Sequence, residues 1–170
     1  MPLGYYAGPG SSTTAGVRYL GVYRLSDRSS VASYCHSDDH SLDEIEAKIS
    51  QVLMANAAQM HPRLSVSDRD IGTIHYETDR YAMFLAVTIH SYPQRTVFQC
   101  IKDLRSRFEG AFEDALHKAA RGGLSKVTLL LMSELCTRYA DPAQVDKTLG
   151  VIEQVDDVKS IVGESIQHLV

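Results

Sequence analysis

The sequence predicts an α+β domain in which a five-stranded, mostly antiparallel sheet has helices on both faces. Three observations support this. The nearly unbroken apolar run Tyr81–Ile89 has the length of one strand and lacks alternation, as expected for a central strand covered on both faces. The segment that follows carries apolar residues in steps of three and four, which indicates a helix lying on that strand. Short strand-like segments between polar turns complete the predicted order β-β-α-β-β-β-α-α.

The first part of this order is a predicted hairpin followed by a helix. Val17–Leu25 and Ser30–His36 have strand-like composition, and a polar turn joins them. We place Val17 and Tyr19 on the same face of the first strand because their positions have the same parity. Ser41, with Glu44 three residues later, matches a helix capping box. The inward side of this helix, which is predicted to end near His61, is formed by Leu42, Ile45, Ile49, Val52, Leu53 and Met60.

Three strands and a long helix come next. Arg63–Ser67 is predicted as a short strand suited to the edge of the sheet, and Gly72–Thr78 as its neighbour before the central strand. Ser91 is the predicted N-cap of the long helix, and Pro93 suits its first turn because a proline there loses no needed N–H. The apolar stripe of this helix consists of Val97, Phe98, Ile101, Leu104, Phe108, Phe112 and Leu116.

A further helix closes the domain. The turn Arg121–Gly123 ends the long helix, and Ser125 is a predicted cap for a helix over Lys126–Tyr139. Its predicted inward residues are Val127, Leu130, Leu131, Leu135 and Cys136. Pro142 marks the end of the domain, which we therefore place at residues 17–142, after a flexible Gly- and Ser-rich extension over residues 1–16.

Composition excludes several functional classes. A net charge of −4 with mixed signs argues against nucleic acid as a partner. The three widely spaced cysteines indicate a reducing compartment rather than a disulfide framework. The longest apolar run is about half the length of a membrane span, so we expect any membrane anchor to lie outside this sequence.

Catalysis is not expected. The seven histidines form no HExxH motif, and the sequence contains neither GxSxG nor a phosphate-binding GxxxxGK loop. The segment around Asp39 and His40 precedes a helix and is better explained as a solvated loop. We therefore expect no enzyme activity, no cofactor and no metal site.

The tail, residues 143–170, has a different pattern. Apolar residues recur there in alternating steps of four and three, which is the spacing of a coiled-coil seam. A helix of this length is marginal alone, so its seam needs partners, unless it forms a last surface helix of the same domain. The predicted seam, with one polar position at Ser165, consists of Val151, Val155, Val158, Val162, Ser165 and Leu169.

Two motifs carry a resemblance to a known family. The segment Tyr92-Pro93-x-Arg95-x-Val97-Phe98, together with the element order, resembles the longin domain of longin-type R-SNAREs, which has a profilin-like fold. The tail string Gln154-Val-Asp-Asp-Val-Lys159, followed by Ile161–Val162, resembles the opening half of a synaptobrevin-type SNARE motif.

The resemblance implies an R-SNARE in vesicle trafficking and membrane fusion, at the cytoplasmic face of endomembranes such as ER, Golgi, endosome or vacuole. Its tail would join Q-SNARE helices in a four-helix bundle through the seam residues. The sequence ends at Val170, before the family's central-layer arginine, so the resemblance also implies a truncated SNARE motif and an anchor absent from this chain.

The longin domain would regulate the tail. In the family, a surface between the first helix and the third strand accepts the protein's own SNARE motif, and the domain can also recruit coat or tether proteins. Here the implied groove residues are Ile49, Val52, Leu53, Leu64 and Val66, although each also suits the core. The alternative function is a non-SNARE, longin-like subunit of a coat, tether or trafficking complex, which the coiled-coil seam disfavours.

Overall fold

The computed structural model describes residues 16–36, 42–55, 60–149 and 159–161, the last three as backbone only. All but the last residue of the predicted N-terminal extension lies outside these ranges. The six described strands are β1 Val17–Arg24, β2 Ser29–Cys35, β3 Arg63–Asp68, β4 Gly72–Thr78, β5 Ala82–Thr88 and β6 Lys159–Ile161. They form one sheet in the order β2-β1-β5-β4-β3-β6. The predicted five-stranded antiparallel sheet is confirmed, and β6 joins it in parallel beside β3.

Helices cover both faces of the sheet, as predicted. Their bounds are α1 Leu42–Met54, α2 Gln94–Lys118, α3 Ser125–Arg138 and α4 Pro142–Leu149. α1 closes one apolar cluster against one face, whereas α2, α3 and α4 close a second cluster against the other. None of the helices in the described part of the chain is both long and apolar enough to cross a membrane.

The central strand β5 explains the apolar run from which the fold was predicted. Every residue of β5 is buried, because β1 and β4 flank it and the two apolar clusters cover its faces. Phe84 and Ala86 face α2, while Met83, Leu85 and Val87 face α1. A strand with two apolar faces cannot alternate in polarity, so the absence of alternation correctly indicated its position.

Strand β1 departs from the predicted parity at its start. Val17 lies in the cluster beneath α2 together with Leu20 and Val22, whereas Tyr19 lies in the cluster beneath α1. The pairing of β1 with β5 shifts register between Val17 and Tyr19, so two residues with the same sequence parity face opposite sides.

Helix α1 ends earlier than predicted. Its buried residues are Ile45, Ile49, Val52 and Leu53, and the helix stops at Met54. Met60, predicted to extend the buried side, is 71% exposed, and Leu42 is 40% exposed. The apolar spacing therefore predicted a longer buried side than this helix has.

Helix α2 begins after a proline cap rather than at the predicted serine. Pro93 is the N-cap residue, with extended backbone and no side-chain cap bond, so Ser91 is not the cap. Most of the predicted apolar stripe is buried, but Phe112 is only partly covered. The backbone of Phe112 is non-helical, which kinks α2 there, although its ring still packs against Phe108 with 5.5 Å between the ring centroids.

Helix α3 is rotated relative to the predicted phase. Its buried residues are Thr128, Met132, Leu135 and Cys136, while Val127 and Leu130, both predicted inward, are exposed. Leu124 rather than Ser125 is its N-cap.

The rotation of α3 has a local cause in hydrogen bonds to β2. The turn before the helix donates from the Leu124 N–H to the Val31 carbonyl at 2.8 Å. The Ser125 hydroxyl accepts the Ser33 N–H at 3.1 Å instead of capping the helix. These bonds fix the start of α3 on the sheet and turn its Thr128 side inward.

Candidate functional site

Strand β3 is one of the places where the tail contacts the domain. β6 runs parallel to it with the register Leu64–Lys159, Ser65–Ser160 and Val66–Ile161. The sequence predicted β3 as a possible edge strand, and such a strand exposes unpaired N–H and carbonyl groups. β6 supplies partners for that edge through its main chain, which is the way extended segments commonly add to a sheet.

The five implied groove residues lie together in one cluster between α1 and the sheet. Ile49, Val52, Leu64 and Val66 are fully buried, and Leu53 is 6% exposed. They therefore form the apolar layer between α1 and β3. The contact that the structure describes between β3 and the tail is main-chain strand pairing. Their role in recognising the tail stays a prediction.

Ion pairs hold the C-terminal end of β3 against α1. The Lys48 ammonium on α1 lies 3.3 Å from the carboxylate of Asp68, the last residue of β3, and 3.4 Å from that of Asp70. Desolvation acts to lower the pKa of Lys48, but the hydrogen bonds to the two aspartates outweigh it and raise that pKa. Asp68 also accepts the Ile71 N–H, which shapes the turn into β4. The C-terminal end of β3 is therefore anchored independently of the tail.

A buried polar network supports the middle of β3 on the α2 face. The hydroxyl of Ser65 lies 2.7 Å from Nδ1 of His75, whose Nε2 lies 3.0 Å from the hydroxyl of Thr88. Gln94, the first residue of α2, donates its amide N–H to the Ser65 hydroxyl at 3.0 Å. The network thus connects β3, β4, β5 and the start of α2. It includes Ser65, the β3 residue that pairs with Ser160 of β6.

Burial keeps this network uncharged at neutral pH. His75 is 3% exposed, and desolvation lowers its pKa from 6.5 to about 3. Ser65, His75 and Thr88 could not be recognised from the sequence, because polar residues alternating along a strand usually face solvent. No pattern in the sequence marks them as partners across three strands.

An ion-pair network fixes the other end of β3. Arg63 lies 2.6 Å from the carboxylate of Glu77 on β4, and Arg105 of α2 lies 3.5 Å from the same group. Arg105 also lies 3.6 Å from Asp79. The Glu77 side chain is only 11% exposed, and Arg63 and Arg105 supply the partners that a buried carboxylate needs. Both ends of β3 are therefore held in register for strand pairing.

The beginning of the tail is docked as well. α4 starts at Pro142, where the Asp141 carboxylate accepts the Ala143 N–H at 3.0 Å as an N-cap. Val145 is 7% exposed within the cluster beneath α2, and Asp146 lies 3.1 Å from Arg95 of α2. The predicted boundary between residues 142 and 143 thus falls at the start of a helix that packs on the domain.

Part of the tail differs from the uninterrupted helix that the sequence predicted. Lys159–Ile161 is a strand, because its backbone pairs with β3 instead of continuing a helix. The six predicted seam residues, Val151, Val155, Val158, Val162, Ser165 and Leu169, lie outside the described residues.

The chemistry available at this site is main-chain recognition. Within residues 16–36, 42–55 and 60–149, no group of three His, Cys, Asp or Glu side chains is arranged to hold a metal ion. Burial raises the pKa of the Cys100 and Cys136 thiols, which keeps them protonated. The β3 edge can accept an extended chain of three or more residues, and this chain places its own tail there.

Comparison with known proteins agrees with this geometry. The family model of the longin domain, described as a regulated-SNARE-like domain, matches residues 31–129, which is more than half of the chain. The match runs from within β2 into α3 and so includes β3. A search among curated proteins found no match.

Proposed function

The chain belongs to the longin family of regulated-SNARE-like domains, and we propose that it acts as an R-SNARE whose longin domain controls access to its own SNARE motif. Its role would be in vesicle trafficking and membrane fusion at the cytoplasmic face of endomembranes. Its partners would be Q-SNARE helices, which its tail joins in a four-helix bundle.

The observation that carries this proposal is the parallel pairing of β6 with β3. A SNARE motif must be helical to enter a four-helix bundle. Residues 159–161 cannot be in a strand on the domain and in a bundle helix at once. Docking on β3 therefore competes with assembly, and assembly requires β6 to leave the sheet.

The strength of this competition suits a reversible switch. A three-residue strand makes few main-chain hydrogen bonds, and each contributes about 1 kcal/mol net. The Arg95 and Asp146 side chains are 37% and 40% exposed, so solvent screens their ion pair and it adds at most about 1 kcal/mol. The undocked state is then a minor but accessible fraction of the molecules. The apparent affinity for SNARE partners is the affinity of the undocked state multiplied by that fraction.

Proline substitutions in β6 test the proposal. In a parallel pair, only every second residue of a strand forms hydrogen bonds with a given neighbouring strand. One of the two variants Ser160→Pro and Ile161→Pro therefore removes an N–H that bonds β3, and the other does not. We expect the variant that loses this bond to assemble with Q-SNARE helices about fivefold faster than the unmodified chain, since one lost bond is about 1 kcal/mol. Assembly is measured by fluorescence energy transfer, with a version of the protein extended past Val170.

Ser160→Ala is the matched control, because it keeps the backbone N–H and should assemble at the unmodified rate. The bundle also disfavours proline, so the final extent of assembly is recorded beside the rate. Rates that are the same for the chain and for both proline variants would contradict regulation by β3.

The alternative is a longin-like subunit of a coat, tether or trafficking complex without a SNARE role. The burial of Val145 beneath α2 favours it, because this part of the tail packs like a permanent helix of the domain. In that case no combination of Q-SNARE helices would recruit the tail, with or without proline in β6. The assembly experiment therefore separates the two functions.

A further inference from the structure

Helix α3 presents aliphatic side chains to solvent. Val127 is 59% exposed, Leu129 is 50% exposed, and Leu130, at 77%, is the most exposed large hydrophobic residue in the described part of the chain. All three lie within the first six residues of the helix. The rotation imposed by the bonds to β2 leaves them outward, so their exposure is built into the fold.

The same stretch is cationic. Lys118, Arg121 and Lys126 are exposed, and residues 115–133 contain no aspartate or glutamate, in a chain whose net charge is −4. The acidic groups nearest in sequence are Glu113 and Asp114 before the stretch and Glu134 after it. Glu134 is paired with Arg107 at 3.1 Å. The turn before α3 and its first turns therefore present exposed aliphatic and positively charged side chains within residues 118–130.

The described parts of the tail lie elsewhere. α3 packs on β2 and β1, at the opposite end of the sheet from β6, and α4 packs on α2. A second copy of this chain is also a poor occupant. Stable protein interfaces use about 20–30 residues from each partner, whereas this surface offers three aliphatic residues and repels its own charges.

We propose that this α3 surface, defined by Val127, Leu129 and Leu130 with Lys118, Arg121 and Lys126, docks on an anionic membrane. Aliphatic side chains flanked by lysine and arginine are the combination that inserts at the headgroup boundary and pairs with lipid phosphates. Each cation near such a surface contributes about a fivefold increase in partitioning. Three cations and three aliphatic side chains give weak binding, which would orient the domain on a membrane.

This inference does not rest on the role proposed for the tail. It uses no residue of β3, α4 or β6, and its test contains no SNARE partner. Failure of the membrane experiment would leave the SNARE proposal unchanged, and the reverse also holds.

Vesicle co-sedimentation of the full chain tests the inference. The probes are vesicles of phosphatidylcholine alone and of phosphatidylcholine mixed with phosphatidylserine. We expect binding to the mixed vesicles only, weakened by salt because exposed charges are screened. The double variant Val127→Gln, Leu130→Gln should bind about tenfold more weakly. Lys126→Glu should also reduce binding and flatten its salt dependence.

Met54→Gln is the matched control, because Met54 is 66% exposed on α1, which covers the other face of the sheet. It should bind as the unmodified chain does. The substituted residues are exposed, so circular dichroism should show all variants folded. Absence of binding, equal binding to both vesicle types, or binding unaffected by the double variant would overturn the inference. Self-association that the double variant abolishes would assign the surface to a second copy and would overturn it equally.

Discussion

Replacing Gly72 by alanine is expected to destabilise the domain by about 3–4 kcal/mol. Gly72 has φ +112° where the turn after β3 enters β4, and an added Cβ would lie 2.1 Å from the Thr88 carbonyl oxygen. That oxygen belongs to the backbone of β5, so the clash cannot be relieved by rotating a side chain. The urea midpoint should fall accordingly.

Gly110→Ala is the matched control for this substitution. Gly110 lies in the exposed middle of α2, and a Cβ there would meet nothing within 4 Å. Alanine should raise the free energy of unfolding by up to about 1 kcal/mol, since glycine is a poor helix former. The same chemical change is thus expected to have opposite signs at the two positions. Equal midpoints for the two variants would show that the β3–β4 turn is not constrained as described.

Acid should weaken the fold through His75. Its pKa is about 3 in the folded state against 6.5 in model peptides, so the unfolded chain binds a proton first as pH falls. The contribution of neutral His75 to the free energy of unfolding is therefore complete above pH 6.5. It is lost as pH falls toward 3, by about 1.4 kcal/mol per pH unit. Over the whole window this one group accounts for a loss of about 5 kcal/mol.

His75→Gln isolates this contribution, because glutamine keeps a polar side chain beside Ser65 and Thr88 but does not titrate. The variant will be less stable at neutral pH, so the quantity compared is the slope of the unfolding free energy with pH. Between pH 6 and 4 the unmodified chain should show the steeper slope, by up to about 1.4 kcal/mol per unit. Parallel slopes would mean that His75 is not held neutral in the fold.

The core of the fold could be predicted because buried segments have a recognisable pattern of apolar residues in the sequence. The unbroken apolar run of β5 is buried on both faces of the sheet, and the stripe beginning at Val97 is buried on one side of α2 except at Phe112. Features that depend on a few hydrogen bonds have no such pattern in the sequence. The rotation that exposes Leu130 depends on bonds between main-chain and hydroxyl groups, and the change of face at Val17 depends on one register shift.

The candidate site was only partly predictable for a related reason. Leu64 and Val66 carry a strand signal, so β3 and its possible edge position could be inferred. The pairing of β6 could not, because its tail segment has the spacing of a helical seam and acquires strand geometry only through contact with β3. Local pattern and tertiary contact favour different conformations there, and the proposed switch between β3 and a helical bundle requires such a difference.

Amide hydrogen exchange at β3 tests the docking of the tail most directly. Amides among Leu64–Val66 that point away from β4 should be protected in the full chain and should exchange at least about tenfold faster in a chain ended after Leu149. Amides of β4 should exchange equally in both and serve as the internal reference. If the β3 amides exchange at the same rate with and without residues 150–170, the tail does not occupy this edge in solution, and the proposed regulation is wrong.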